Sequence, residues 1–351
     1  ASGELKTKPT QHSVKALLEN GVQPDVLVLR TEHELSTALR KKVALFCNVE
    51  SDAVIQSIDV STIYEVPNKM REERLDETVL RKMGLPLKDD PQLNDWNDFL
   101  NKLKKPAHEI EIGLVGKYVE LQDAYKSIVE AIIHAGAMNL CKVKVRWIHS
   151  EKITEENVAK KLEGLKGIIV APGFGHRGIE GKIIATRYVR ENNIPFFGIC
   201  LGMQIAVIEF ARNVLGFHTA DSTEMNETTD CPVIDLMEEQ KGITEKGGTM
   251  RLGAYKCQIA DKDTNIFRAY NKQEIKERHR HRYEFNDRYL ADFEKAGMKA
   301  IGLNPDTNLV EVVEIPSHKW FVGVQFHPEY SSTVLKPHPL FVAFVKAALG
   351  E

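Results

Sequence analysis

A short glycine-flanked segment around Cys200 limits the fold more than any other part of the sequence. Residues 194–197 form an apolar run that indicates a buried strand, and residues 201–210 form a longer apolar run that indicates a helix. Gly198 and Gly202 stand two residues before and after Cys200, the spacing that allows the sharp, strained turn known as a nucleophile elbow. The segment therefore predicts an α/β fold in which Cys200 occupies a strand-to-helix turn.

The same turn gives the Cys200 thiol the surroundings of a nucleophile. A thiol at a helix N-terminus, next to an imidazole, is favoured as the thiolate that attacks carbonyl carbon. His327 and Glu329 follow an alternating strand, residues 321–326, and are the candidate base and the carboxylate that orients it. A lone buried Cys is usually a core residue and a lone His-Pro-Glu is usually a loop. The elbow spacing combined with the strand-end pair favours catalysis instead.

Two segments resemble the motifs of one enzyme family. Residues 198–204 read Gly-Ile-Cys-Leu-Gly-Met-Gln and residues 327–329 read His-Pro-Glu, and both resemble the triad-type, class I glutamine amidotransferases. The resemblance implies that Cys200, His327 and Glu329 form a catalytic triad that hydrolyses the side-chain amide of glutamine.

The composition is that of a water-soluble protein with two domains. The chain has 351 residues, a net charge of −3 and 28% charged residues, which argues against a nucleic-acid-binding surface as its main function. No apolar run approaches the ~20 residues that cross a bilayer, and no signal peptide is visible, so we expect a cytoplasmic protein without a membrane partner. The five cysteines lack Cys-x-x-Cys spacing, which argues against a disulfide framework and against a zinc site.

Residues 1–105 are predicted to form an incomplete parallel-sheet domain. The runs 25–30 and 42–47 indicate buried strands, and residues 32–41 between them indicate a helical crossover. This βαβ pattern predicts a parallel sheet, but two or three strands are fewer than such a sheet needs to bury both faces. We therefore expect a preceding segment to be missing. A charged run at 102–106 indicates the linker to a second domain.

Residues 106–351 are predicted to form a second α/β domain, which contains the elbow. Its expected strands and closing helix are, in order, residues 109–115, 142–148, 167–170, 194–198, 299–303, 309–315, 320–326 and 339–349. All three candidate triad residues therefore belong to the second domain.

A glycine-rich turn at residues 170–178 follows one of these strands. It lacks the Gly-x-x-x-x-Gly-Lys-Ser/Thr pattern of a phosphate loop, and its backbone N–H groups are better suited to stabilising a developing oxyanion. Within the resemblance, the N–H groups of Gly173 and Leu201 form that oxyanion hole. The family commonly reads Pro-Gly-Gly-Phe-Gly where residues 171–175 read Ala-Pro-Gly-Phe-Gly, and Pro172 donates no N–H. A plain tight turn is the alternative.

Arginine and histidine alternate along residues 278–284. A solvated basic strand would explain the pattern, but alternation places the three arginines on one face, where a guanidinium can hold a carboxylate. Free glutamine presents an α-carboxylate and an α-ammonium, and Arg282 and Glu224 are the candidate pair that holds them. The resemblance adds Gln204, at the end of the elbow motif, to the residues that bind glutamine.

The N-terminal segment resembles a narrower family. Residues 5–14 contain Lys-Thr-Lys-Pro-Thr-Gln, which resembles the CTP synthase family, as do residues 247–253 and 278–284. The resemblance covers essentially the whole chain. The lysines alone could be an exposed charge pair, but with threonine and glutamine in a proline-fixed loop they also suit a triphosphate and a pyrimidine edge. The resemblance implies contacts to UTP or CTP by Lys6, Lys8, Gln11 and Lys42, to ATP by Arg30, and to GTP through a lid region containing Phe174, Arg177 and Arg251; none is a metal ligand.

The CTP synthase resemblance implies a complete reaction in pyrimidine biosynthesis. Ammonia released from glutamine displaces phosphate from UTP that ATP has phosphorylated at O4, and the product is CTP. The resemblance implies ATP and Mg²⁺ for the full-length enzyme, GTP as allosteric activator, CTP as feedback inhibitor and a homotetramer, with no covalently bound cofactor. Because this chain contains no phosphate loop, we expect it to carry out only the glutaminase half-reaction.

Two other functions fit parts of the sequence. Another triad amidotransferase, such as a GMP or carbamoyl-phosphate enzyme, would share the elbow but would lack the motif at residues 5–14. A non-enzymatic assembly module would require a defective triad, whereas all three triad residues are present.

Overall fold

A parallel strand pair with surrounding helices forms the first of two units. The computed structural model describes residues 5–87, 92–236 and 250–350, and the packing divides the chain into residues 1–94 and 95–351. The first unit contains α1 (Lys8–Glu19), β1 (Leu27–Thr31), α2 (Thr37–Cys47), β2 (Val54–Ile58), α3 (Val66–Glu72) and α4 (Leu75–Lys82). Strand β1 runs parallel to β2, with Leu27 opposite Val54, and α2 connects them. The predicted βαβ pattern is therefore present.

The second strand of that pattern lies later in the chain than the sequence indicated. The prediction of a strand at 42–47 was wrong, because these residues form the C-terminal half of α2. Their buried members, Val43, Ala44 and Cys47, follow helical spacing, whereas Leu45 and Phe46 are 80% and 61% exposed. A short apolar run alone does not distinguish a strand from one face of a helix.

The second unit is built around a long mixed sheet. Its helices are α5 (Asn94–Lys104), α6 (Lys126–Met138), α7 (Val158–Leu162), α8 (Ile179–Glu191), α9 (Leu201–Asn213), α10 (Asn265–Tyr270), α11 (Leu290–Ala296) and α12 (Pro339–Leu349). Its strands are β3 (His108–Gly116), β4 (Cys141–His149), β5 (Gly167–Val170), β6 (Phe196–Ile199), β7 (Ala220–Ser222), β8 (Cys231–Leu236), β9 (Arg251–Ile259), β10 (Glu274–His281), β11 (Tyr283–Phe285), β12 (Lys299–Leu303), β13 (Val310–Glu314) and β14 (Phe321–Val324).

The order of strands places β6 and β14 side by side near the centre of the sheet. Nine strands run in the order β10-β9-β12-β13-β14-β6-β5-β3-β4, and a separate small sheet has the order β11-β8-β7. From β14 to β4 the neighbouring strands are parallel, whereas from β10 to β14 they are antiparallel. Every residue of β5 and β6 is buried, as expected for parallel strands covered on both faces.

The predicted strands and closing helix of this unit are confirmed to within two residues at each end. The sequence analysis did not predict β7, β8 and β9, which lie between the elbow helix α9 and the arginine-rich segment. Helices α8 and α9 contact each other, as do α6 and α12, and each pair contributes to its own hydrophobic cluster.

Helix α5 lies in the second unit. Its residues Phe99 and Leu100 are buried, and the Phe99 ring contacts His134 of α6 at a centroid distance of 6.0 Å. The boundary by packing is therefore at 94/95, eleven residues before the predicted functional boundary at 105/106, which stays a prediction.

Candidate functional site

The backbone at Cys200 has the strained geometry of a nucleophile elbow. Cys200 joins β6 to α9 with φ 53° and ψ −104°, a region that non-glycine residues rarely occupy. Its N–H donates to the carbonyl of Val324 on β14 at 2.7 Å, which ties the turn to the neighbouring strand. The expected strand-to-helix turn is present.

Close backbone contacts leave no room for a side chain at either flanking glycine. A Cβ atom on Gly198 would lie 2.6 Å from the carbonyl of Gly202, and one on Gly202 would lie 2.3 Å from the carbonyl oxygen of Val170. Side chains are excluded at both positions, because Gly198 packs on the backbone at the start of α9 and Gly202 packs on the backbone of β5. The spacing that indicated the elbow therefore has a steric cause.

His327 and Glu329 lie just beyond the end of β14. His327 Nδ1 and Glu329 Oε1 are 2.8 Å apart, and both side chains are buried. The imidazole also stacks on Tyr330, with ring centroids 5.3 Å apart. Among the residues that the structure describes, the buried Nε2 atom of His327 has no hydrogen-bond partner. Glu329 therefore fixes the ring through Nδ1 and leaves Nε2 free to exchange a proton.

The imidazole of His327 carries a strongly stabilised positive charge. Burial alone would lower its pKa, but the Cys200 sulfur and the Glu329 carboxylate raise that pKa to about 11. The imidazolium of His327 therefore lies next to the Cys200 sulfur, a setting suited to a nucleophilic cysteine.

Two further groups approach the Cys200 sulfur. Gln325 Nε2 donates to Sγ at 3.7 Å, and the carbonyl oxygen of Arg280 lies 4.0 Å from Sγ. The side chain of Cys200 is buried. Sequence analysis missed Gln325, which stands two residues before His327.

The structure places Gly173 beside Leu201, its expected partner in an oxyanion hole. A Cβ atom on Gly173 would lie 3.6 Å from Leu201 Cδ2, so the glycine-rich turn borders the first turn of α9. Side-chain hydrogen bonds from outside hold this turn: Lys117 Nζ donates to Phe174 O, Gly175 N donates to Glu224 Oε1 at 2.7 Å, and Lys182 Nζ donates to Ala171 O at 2.8 Å. The role of the two N–H groups stays a prediction.

Lys182 is fully buried beneath this turn. Burial and the neighbouring Lys117 lower its pKa to about 7, although the Cys200 sulfur opposes both effects. Neither Lys117, which follows β3, nor Lys182, on α8, was found by sequence analysis, because an isolated lysine gives no motif.

The structure brings the predicted glutamine-binding pair together. Glu224 is half-buried, and burial raises the pKa of its carboxyl, while the Gly175 N–H, Lys117 and Arg282 lower it. Arg282 is half-buried between β10 and β11. Glu224 thus contacts the glycine-rich turn and interacts electrostatically with Arg282, and the binding of glutamine by this pair stays a prediction.

Gln204 makes two contacts within the protein. Its Nε2 donates to the Tyr283 carbonyl at 2.9 Å and to Gln325 Oε1 at 3.2 Å. The side chain is buried, so its amide nitrogen is committed to these partners. The predicted contact to glutamine stays a prediction.

The three predicted lid residues lie in different surroundings. Phe174 and Arg177 are exposed, and Arg177 lies over the Tyr118 ring at 5.4 Å and pairs with Glu151 at 3.2 Å. Arg251 is buried instead. Part of the motif that suggested it, residues 247–249, lies outside the described residues.

Arg251 belongs to a buried polar network beneath β10. It pairs with Glu311 at 2.8 Å and with Glu284 at 3.4 Å, while His279 lies 3.1 Å from Glu311 and 2.8 Å from His281. Burial lowers the pKa of His281 to about 3 and that of His279 further, so both rings are neutral. The alternating burial of β10 places these histidines inside and Arg278 and Arg280 outside.

Both units match known protein families. Residues 120–347 match the family described as class-I glutamine amidotransferase, and residues 1–85 match the one described as CTP synthase N-terminus. The second unit is similar to a solved structure, the glutaminase domain of Trypanosoma brucei CTPS with bound acivicin. Their identity is 37% and the TM-score 0.66, over 69% of this chain and 94% of that one. The chain belongs to the CTP synthase family.

Bacterial members of the CTP synthase family match over the whole chain. The chain is 65% identical over 350 residues to CTP synthase of Flavobacterium johnsoniae, which covers 100% of this chain and 65% of that protein. It is 62% identical over 351 residues to CTP synthase of Bacteroides fragilis, with 100% and 66% covered. The chain thus spans about two thirds of the length of these relatives.

The first unit contains the residues for which the family resemblance implied contacts to UTP, CTP and ATP. Lys6, Lys8, Lys42 and Arg30 are exposed, and Arg30 pairs with Asp59 at 3.0 Å. The expected proline-fixed loop is partly helical, because α1 begins at Lys8 with proline in its first turn. Gln11 therefore lies on α1, which contacts α2, the helix that carries Lys42.

No helix within residues 5–87, 92–236 and 250–350 is long and apolar enough to cross a membrane. In the same ranges no group of three or more His, Cys, Asp and Glu side chains could hold a metal ion.

Proposed function

We propose that the second unit hydrolyses the side-chain amide of glutamine with Cys200 as nucleophile, His327 as acid and base, and Glu329 as the orienting carboxylate. The observation that carries the proposal is the strained elbow at Cys200 beside an imidazole whose Nδ1 is held by Glu329 at 2.8 Å. The high pKa of His327 supports an imidazolium–thiolate pair as the resting state.

The reaction then proceeds through one covalent intermediate. The Cys200 sulfur attacks the amide carbon, and the N–H groups of Gly173 and Leu201 stabilise the resulting oxyanion. The imidazolium of His327 gives its proton to the departing nitrogen, which leaves as ammonia and generates a thioester. His327 next removes a proton from water, and the hydroxide releases glutamate and the thiolate.

The substrate is held at its amino-acid end. Glu224 is placed to accept from the α-ammonium, and Arg282 to donate to the α-carboxylate. Glu224 accepts from the Gly175 N–H of the glycine-rich turn and interacts electrostatically with Arg282, so in this proposal the pair presents the side-chain amide towards Cys200. Gln204 is a further candidate for contact with the bound glutamine.

We also propose that the released ammonia serves ATP-dependent amination of UTP to CTP. The relatives named CTP synthase and the match of residues 1–85 to the CTP synthase N-terminus support this destination. Lys6, Lys8, Gln11 and Lys42 are the candidate UTP and CTP contacts, and Arg30 the ATP contact. GTP activation through Phe174 and Arg177, feedback inhibition by CTP and a homotetrameric full-length enzyme are part of the same proposal.

The hydrolytic step is tested by measuring glutamate release and by mass spectrometry after reaction with a glutamine-analogue electrophile. We expect the electrophile to modify Cys200, C200S to release no glutamate, and E329Q to lose about 10²- to 10⁴-fold in kcat. C231S is the matched control, because Cys231 is a partly exposed thiol on β8, and it should behave as the wild type. Glutamate release by C200S at the wild-type rate would refute the proposal.

The nucleotide assignment is tested separately by binding. UTP should bind the wild-type chain, and K8A should weaken UTP binding without altering glutamate release. Unaltered UTP binding in K8A would remove Lys8 from the proposed UTP site.

A further inference from the structure

Gln325 is a fully buried amide that the proposed reaction does not yet use. It follows β14 directly, and its backbone N–H donates to the carbonyl of Glu311 on β13 at 2.8 Å. The backbone of Gln325 is thus held by continued strand pairing. A polar side chain buried at this position requires hydrogen-bond partners.

The orientation of this side-chain amide is determined by its neighbours. Gln204 Nε2 donates to the carbonyl of Tyr283 at 2.9 Å and to Gln325 Oε1 at 3.2 Å. A nitrogen of Gln325 in place of Oε1 would meet another donor, so the amide of Gln325 cannot be reversed. Its Nε2 consequently points at Cys200 Sγ, 3.7 Å away.

Gln325 Nε2 is thus a donor to the sulfur, and the Arg280 carbonyl is an acceptor near it. The Arg280 carbonyl, 4.0 Å away, can accept from a protonated thiol, whereas the Gln325 N–H stabilises only a sulfur that accepts, most strongly a thiolate. We propose that Gln325 is a catalytic residue that stabilises the thiolate of Cys200 through its side-chain N–H, and that Gln204 is the positioning residue that fixes this amide.

This inference deepens the proposed glutamine hydrolysis and rests on Cys200 being its nucleophile. Two charged side chains also act on the sulfur, His327 beyond β14 and Lys182 on α8. Both favour the thiolate, and neither is changed when Gln325 is replaced. An effect of replacing Gln325 is therefore additional to theirs.

The test is the pH dependence of alkylation of Cys200 by iodoacetamide, followed by mass spectrometry. Gln325→Met keeps the volume and removes the donor, and Gln325→Glu places a carboxyl beside the sulfur. In Q325M we expect the midpoint of the alkylation profile to rise by about one pH unit, with about ten-fold slower alkylation below the midpoint. In Q325E we expect the midpoint to rise further. An unchanged midpoint in folded Q325M would overturn the proposal.

Thr186→Val is the matched control. Thr186 is fully buried on α8, where its hydroxyl donates to the Lys182 carbonyl at 2.8 Å. This variant loses a buried hydrogen bond without touching the sulfur, so its midpoint should equal that of the wild type. A midpoint raised equally in T186V would mean that any loss of buried polar contact suffices, which also contradicts the proposal.

A measurement on unaltered protein does not depend on how the variants fold. In protein labelled with ¹⁵N at glutamine, the Gln325 side-chain N–H resonances should shift with the midpoint of Cys200 alkylation, and this shift should be absent in C200S. Resonances that do not follow the thiol would overturn the inference. Because alkylation requires no glutamine, failure of glutamine hydrolysis with these shifts intact would refute the proposed function alone.

Discussion

Replacing Gly202 by alanine tests whether the elbow needs its glycine for steric reasons. The new Cβ would lie 2.3 Å from the carbonyl oxygen of Val170, whereas carbon–oxygen contacts are ordinarily no shorter than about 3.3 Å. The overlap is thus about 1 Å, against the backbone of a strand that is buried on both faces. Helix α9 must move away from β5 to accommodate the methyl group.

Two free-energy contributions set the expected loss of stability. Overpacking of this severity costs about 3 kcal/mol, and the better helix propensity of alanine offsets about 1 kcal/mol. We expect G202A to lower the free energy of unfolding by about 2 kcal/mol, a factor of about 30 in the equilibrium constant. Displacement of the sulfur by about 1 Å should lower kcat for glutamine hydrolysis by about 10²-fold.

Gly216→Ala is the matched control for this substitution. Gly216 follows α9 with φ 75°, and no heavy atom lies within 4 Å of the position that an added methyl group would take. The positive φ alone should cost about 1–2 kcal/mol, so the two variants lose similar stability. Only G202A should lose activity, because only its methyl group pushes on the elbow.

Unfolding by urea is followed by tryptophan fluorescence, and activity by glutamate release below the unfolding transition. All three tryptophans, Trp96, Trp147 and Trp320, belong to the second unit, so the signal reports the unit that contains the elbow. A G202A protein as active as G216A would refute the steric reasoning, whatever its stability.

Two further predictions concern charged groups around the turn. Burial lowers the pKa of Lys182 to about 7, against about 10.4 in an unfolded chain. Between these two pKa values the unfolded state binds more protons than the folded state, so the free energy of unfolding rises with pH. The urea midpoints at about pH 7 and 9 should therefore differ less in K182M than in the wild type. An equal difference in both proteins would contradict this role of Lys182. Glu224→Gln should raise KM for glutamine about 10- to 100-fold through loss of a charge-assisted hydrogen bond, with iodoacetamide alkylation of Cys200 unchanged. The exposed Glu227→Gln is its control, and an unaltered KM in E224Q would remove Glu224 from the glutamine site.

The elbow was predictable from sequence because its glycines have a local steric cause. Gly198 and Gly202 each exclude a side chain by a contact between neighbouring elements, so their spacing records the geometry directly. The apolar runs of β5 and β6 were equally clear, because both faces of these strands are buried.

The parts that sequence analysis missed depend on contacts between distant segments. The apolar residues of segment 42–47 are compatible with a strand and with a helix, and only the packing of one helical face decides between the two. His279 of β10 contacts Glu311 of β13, and Gln325 contacts Gln204 of α9. No local sequence pattern around either partner predicts such a contact.

Adjacent pairing of β6 and β14 has a consequence for folding. The two strands that present Cys200 and His327 are held by register pairs from Phe321–Phe196 to Val324–Ile199, although more than a hundred residues of chain separate them. Such non-local pairing forms late and slowly, because closing the intervening loop costs chain entropy before any contact compensates it. Reactivity at Cys200 should therefore appear only in the last stages of refolding, and its recovery would measure completion of the central sheet.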